Sequence, residues 1–125
     1  MDKEISIRFI GHNKQRYDTY GDYYYGKEKL NIRISKFSNW KYQWLVLLHE
    51  MVEFLLIMDR GITIEEIERF DLANLRLEDP GLSKEAPYHK EHMTAIKIEK
   101  ILCKELGLKW GRYYNTKPMG YKWMK

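Results

Sequence analysis

The sequence predicts an α+β fold in which a small antiparallel sheet of about three strands precedes three helices, all within one domain over residues 1–125. Three observations carry this expectation. Residues 1–37 alternate polar and apolar side chains in short runs, the period of half-buried strands. Residues 38–108 instead hold long stretches with apolar positions at helical spacing. Gly26, Gly61, Pro80, Gly81, Pro87 and Gly107 fall between these runs, where turns and helix ends need them. A chain of this length suits a single compact core, so residues 109–125 are read as a tail on the same domain.

Taken in order, Glu4–Ile10 reads E-I-S-I-R-F-I and suits a strand, and the stretch around His12 and Arg16 is polar and loop-like. Residues 19–25 and 29–36 are rich in aromatic and β-branched side chains and join near Gly26 as a hairpin or small meander. Ser38 or Asn39 caps a first helix from about Trp40 to Arg60, which Gly61 stops. Thr63 followed by Glu66 forms a capping-box signal for a second helix over 64–75. Residues 78–87 form a loop, and Pro87 opens a third helix that ends before Gly107.

Composition narrows the setting. A single cysteine, Cys103, excludes an internal disulfide and sits in an apolar helical pattern, which fits a core position in a reducing, cytoplasmic protein. The start MDKEISIRFI lacks the features of a secretory signal. The oily segment 44–58 is shorter than a membrane span and carries charges near its middle, so no membrane partner is expected. Net charge is +4, and no acid occurs from Gly107 onward. There Lys109, Arg112, Lys117, Lys122 and Lys125 interleave with Trp110, Tyr113, Tyr114, Tyr121 and Trp123. Such a tail can hold a nucleic-acid backbone, or it can pack onto the domain with its cations snorkelling outward.

The segment WLVLLHEMVEFLLIM poses the central question, because His49, Glu50 and Glu53 interrupt an otherwise apolar helix. His49 and Glu53 are i,i+4 neighbours on one face, with Glu50 beside them. Burying such groups without partners costs several kcal/mol. They can satisfy one another within a core, or they can hold a divalent ion, as the second helix position of H-E-x-x-H does with an imidazole.

The third helix repeats the anomaly. On a helical wheel Tyr88, Ala95, Ile96, Ile98, Leu102, Cys103 and Leu106 share an apolar arc, with Lys90, Lys97, Lys100 and Lys104 opposite. His92 and Glu99 fall inside that arc and His89 lies near its edge. One metal between the two helices explains both anomalies, with His49, Glu53 and His92 as ligands and an open fourth position. Zinc fits this set, although another divalent ion would also bind it. His89 competes for the third place. Glu99 lies roughly 10 Å from His92 along the axis, too far to share its ion, and suits either a hydrogen bond from a ligating histidine or a buried partner for Arg or Tyr. Glu50 then occupies the place of a general base. Asp71 and Asp79 could cap, bridge to a ligand or be solvated, and His12 receives no role. A di-iron carboxylate bundle would use Glu50 and Glu53 but needs four long helices.

The order of motifs resembles small phage and prophage proteins with a zincin-like H-E-x-x-E helix. The matching segments are YDTYGDYY, the strand at Ile32 to Ser35, LLHEMVEFLL, Phe70-Asp71, Asp79-Pro80-Gly81, and APYHKEHMTAIKIE running into LGLKWGRY. The resemblance spans most of residues 15–114 and implies a zincin-like metalloprotease core, with interest centred on His49, Glu50, Glu53, His89 and His92. The expected function is a zinc-dependent, peptidase-like hydrolase acting on a peptide or protein in the host cytoplasm. The alternative is a non-catalytic, metal-stabilised protein that engages nucleic acid or a host protein through its tail. Glu53 departs from H-E-x-x-H, and a carboxylate ligand makes the ion a weaker Lewis acid.

Overall fold

The structure is a computed structural model and describes residues 4–121. Strands β1 (Glu4–Ile10), β2 (Gly21–Gly26) and β3 (Lys29–Ser35) precede helices α1 (Trp40–Arg60), α2 (Ile64–Ala73), α3 (His89–Glu105) and α4 (Trp110–Asn115). The strand order is β1-β3-β2. β2 and β3 pair antiparallel, as a hairpin should, but β1 lies parallel to β3.

The sheet is therefore mixed, which corrects the antiparallel expectation. The reason lies in the long connection from β1 to β2, which is not a tight turn and carries the chain past the place β3 will fill. β3 is the most buried strand, with Leu30, Ile32 and Ile34 at most 2 % exposed, and so takes the centre. Alternation along β1 shows which side chains face inward but not which neighbour it pairs with.

Lys27 and Glu28 form the β2–β3 turn, both with positive φ (53° and 61°). Two-residue hairpin turns of this kind match the strand twist but favour Asn or Gly, so a Lys-Glu turn carries backbone strain. The stretch after β1 is more ordered than its polarity implies. His12 opens a short 3-10 turn, is fully buried, and bonds Ser35 Oγ and Asp18 Oδ1 at 2.8 Å each.

α1 begins where the Asn39 side chain accepts from Lys41 N–H and ends at Gly61, whose φ of 74° is left-handed. The N–H of Ile62 then reaches back to the Ile57 carbonyl at 2.9 Å, closing the C-terminal turn. Thr63 and Glu66 form the reciprocal capping box of α2. α2 ends at Ala73 because the Asn74 side chain takes the Phe70 carbonyl.

α1 packs on β2 and β3 with one face and on α3 with another. The core joins Leu30, Ile32 and Ile34 to Leu45, Ile57 and Cys103. No helix among the described residues is long and apolar enough to cross a membrane. α4 is a helix that periodicity did not predict within the tail. Its Tyr113 is 5 % exposed, Trp110 packs on the core, and Trp110 stacks on Tyr114 at 5.4 Å. Lys122, Trp123 and Lys125 lie outside the described residues.

Candidate metal centre

Packing of α1 against α3 brings the two anomalous faces together. His49 Nε2 stands 3.1 Å from His92 Nδ1 and 3.1 Å from Glu53 Oε2, and His92 Nδ1 stands 2.8 Å from Glu53 Oε2. All three residues are buried and could hold a metal ion.

The outer ring nitrogens show why this triangle suits a cation. His49 donates its Nδ1–H to Glu99 Oε1 at 2.7 Å, and His92 donates Nε2–H to Asp79 at 3.0 Å. Each carboxylate holds the outer N–H, so that an ion displacing the inner proton would meet a lone pair facing inward. Two inner ring nitrogens and a carboxylate oxygen thus converge. Only one shared proton fits between nitrogens 3.1 Å apart, whereas one ion satisfies all three donors. Three donors on a zinc ion at about 2.0–2.1 Å in a tetrahedron stand about 3.3 Å apart. The triangle is tighter than this by a few tenths of an ångström, a small side-chain adjustment.

The electrostatics run the same way. Burial disfavours the imidazolium of His92, but its hydrogen bonds to Asp79 and Glu53 prevail and raise it to about 9. His49 is likewise raised, against burial, by Glu53 and Glu99. Burial favours a neutral Glu53, yet hydrogen bonds from both imidazoles hold it down at about 2. The group demands positive charge.

A ring of hydroxyls braces these donors. Tyr23 donates to Glu53 Oε1 at 2.8 Å, Tyr113 donates to Glu99, and Tyr114 donates to Asp79 Oδ2 at 3.0 Å. Two of the three braces come from α4, so the aromatic part of the tail is used in packing around the group. Two glycines make room. A Cβ on Gly81 would meet the His92 ring at 2.4 Å, and one on Gly21 would meet Glu50 Cγ at 2.5 Å.

Glu50 stands apart from the triangle. Its Oε2 is 3.9 Å from His49 Nε2, and no other side-chain partner of its carboxylate is found among the described residues. Burial, and then the charge of Glu53, push its carboxyl well above the usual range. It lines a cavity of about 420 Å³ together with His49, Glu53 and His92. Tyr88 lines the same cavity and donates to Asp71 Oδ1 at 2.6 Å.

His89 takes no part in the triangle, unlike the ligand expected of it. It donates Nδ1–H to the Gly81 carbonyl at 2.9 Å. Three residues along a helix leave it about 60° off the His92 direction, and the Pro80–Leu82 turn captures its ring. Glu99 serves both readings held for it, bonding a histidine and a tyrosine. The sequence left Asp79 undecided, read Tyr113 and Tyr114 only as part of the basic aromatic tail, and did not single out Tyr23 or the spacing role of Gly21 and Gly81. Their signal was present only as the short segments YGDYY, Asp79-Pro80-Gly81 and LKWGRY, which converge here although they lie far apart along the chain. No protein-family model, curated protein or solved structure matches the chain.

Proposed function

We propose that the protein is a zinc-dependent hydrolase of peptidase type, with His49, Glu53 and His92 as the metal ligands and Glu50 as the general base. The observation that carries this reading is the three-donor triangle opening onto a cavity, with one unbonded carboxylate beside it. A structural zinc site usually closes with four protein ligands, whereas three ligands leave a place for water or substrate.

When bound, zinc would lower the pKa of a coordinated water and polarise a carbonyl. The chain's own residues do the rest. Glu99 and Asp79 hold the imidazoles in the ligating tautomer, and the tyrosine hydroxyls hold the carboxylates. Glu50 is placed to take a proton from the attacking water and return it to the leaving group. Gly21 leaves the room that this side chain occupies. Val46, Phe37 and Ile96 supply the apolar part of the cavity lining.

Metal content by mass spectrometry tests the ligands: stoichiometric zinc in wild type should be lost in His49→Ala, Glu53→Ala and His92→Ala. Cleavage of a mixed peptide library tests the chemistry. Glu50→Gln should keep the metal and lose at least 100-fold in rate. Equal cleavage by wild type and Glu50→Gln would overturn the assignment.

A further inference from the structure

The sheet face away from α1 holds a second cavity, of about 320 Å³, lined by Arg8, Lys14, Gln15, Arg16, Tyr24 and Arg33. No acidic residue lines it. Arg8 and Arg33 are direct partners in the parallel β1–β3 ladder, and like charges opposed across a ladder destabilise it. On its other side Arg33 opposes Asp22 in the β2–β3 ladder, but Asp22 pairs with Arg16, and neither Arg8 nor Arg33 forms an ion pair among the described residues. Arg33 donates to the Ser6 carbonyl at 2.9 Å and to Asn31 Oδ1 at 3.0 Å, which are neutral acceptors. The side chains of Arg8 and Lys14 have no partner among the described residues.

Arg16 differs, because Asp22 grips its Nε and Nη2 at 2.8 and 3.0 Å and Glu68 also pairs with it. Its guanidinium lies 3.9 Å over the Tyr24 ring, forming a fixed wall. Three unpaired cations therefore share one cavity.

Gln15 supplies a second, independent observation. It is 7 % exposed, and its Nε2 is committed to the Tyr20 and Arg33 carbonyls and to Ser35 Oγ. Its Oε1 is the buried side-chain atom left without a hydrogen-bond partner among the described residues. The cavity thus offers three cations for an oxyanion and borders an acceptor that lacks an O–H or N–H donor.

We infer that this basic cavity on the outer sheet face binds the phosphate of a nucleotide unit, with Arg8, Lys14 and Arg33 on the phosphate oxygens. Arginine favours phosphate through its paired donors, and the cavity has room for a sugar or base beside the phosphate. The volume falls at the small end of ligand pockets, about 300–1,000 Å³, and exceeds what a lone phosphate fills. The site is separate from the metal centre, which lies on the other side of the sheet.

The test uses the full chain and three probes: inorganic phosphate, an adenine mononucleotide, and a labelled single-stranded oligonucleotide followed by fluorescence anisotropy. Binding of the mononucleotide or the oligonucleotide at least 10-fold tighter than phosphate supports the site. An oligonucleotide that outcompetes the mononucleotide, with affinity falling steeply in salt, identifies a polymer as the source of the phosphate; equal affinities identify a free nucleotide. Arg8→Gln with Lys14→Gln should weaken binding at least 10-fold, and His92→Ala should leave it unchanged. Arg33→Lys, which keeps the charge, should lose less than the double variant. Absence of binding to all three probes, or unchanged affinity in the double variant, would overturn the inference.

Discussion

Replacing Gly81 by alanine probes the centre without replacing any of the three proposed ligands. The added Cβ would stand 2.4 Å from His92 Cγ, 2.6 Å from Cδ2 and 2.7 Å from Nδ1, where ordinary contact begins at 3.4 Å. The shortfall is about 1 Å. It falls on a ring that cannot swing away, because Nε2 is tied to Asp79 and Tyr88 packs edge-on at 5.9 Å. Either the Pro80–Leu82 turn or the His92 ring must move by about that distance, and His92 Nδ1 loses its place beside His49 and Glu53. Disturbing the support of a ligating histidine typically costs 10–100-fold in metal affinity, or about 1.4–2.8 kcal/mol. Competition against a chromophoric zinc chelator, well below the melting temperature, measures this. Gly111→Ala is the control, since a Cβ there meets nothing within 4 Å. A Gly81→Ala protein that binds zinc as tightly as wild type would refute the reasoning.

Chelation should lower the melting temperature, because an ion that binds only the folded chain at 1,000 times its Kd adds about 4 kcal/mol, roughly 10–20 °C for a domain of this size; a melting temperature unmoved by chelator argues against a bound ion. Lys27→Asn with Glu28→Gly relieves two left-handed residues and should raise stability by about 1 kcal/mol in urea unfolding, whereas a loss would mean that the turn is not strained. Asp71 gives a pH signature. Burial raises its carboxyl to about 6 despite hydrogen bonds from Tyr88 and Tyr17. The folded chain then holds a proton that the unfolded chain has released, so this residue's contribution falls as pH rises from about 4 to 6 and is level above that. Asp71→Asn should flatten that part of the stability profile, and parallel profiles for the two proteins would contradict it.

Much of the local structure was legible because local chemistry decides it. The helix stop at Gly61, the Thr63–Glu66 capping box and the hairpin between β2 and β3 depend on neighbours in sequence. The buried polar faces of α1 and α3 were legible for a related reason, since His49, Glu53, His92 and Glu99 interrupt apolar arcs whose periodicity places them inward. The parallel pairing of β1 was not, because alternation is the same for any partner. α4 was also hidden: a six-residue helix is too short to show periodicity, and it is held by contacts with the core and the centre.

By itself the sequence determined which side chains must be buried, and that a histidine and a carboxylate would project from each of two helices. Charge on an apolar face is a local fact about a helix. Only the tertiary structure decided that these residues meet within 3.1 Å, that His89 turns aside to Gly81, and that Asp79 and Glu99 orient the two rings. Those outcomes depend on the crossing of α1 and α3 and on where the loop before α3 and the helix after it come to rest. Such long-range geometry is set by packing of the whole core, which no short stretch of sequence encodes.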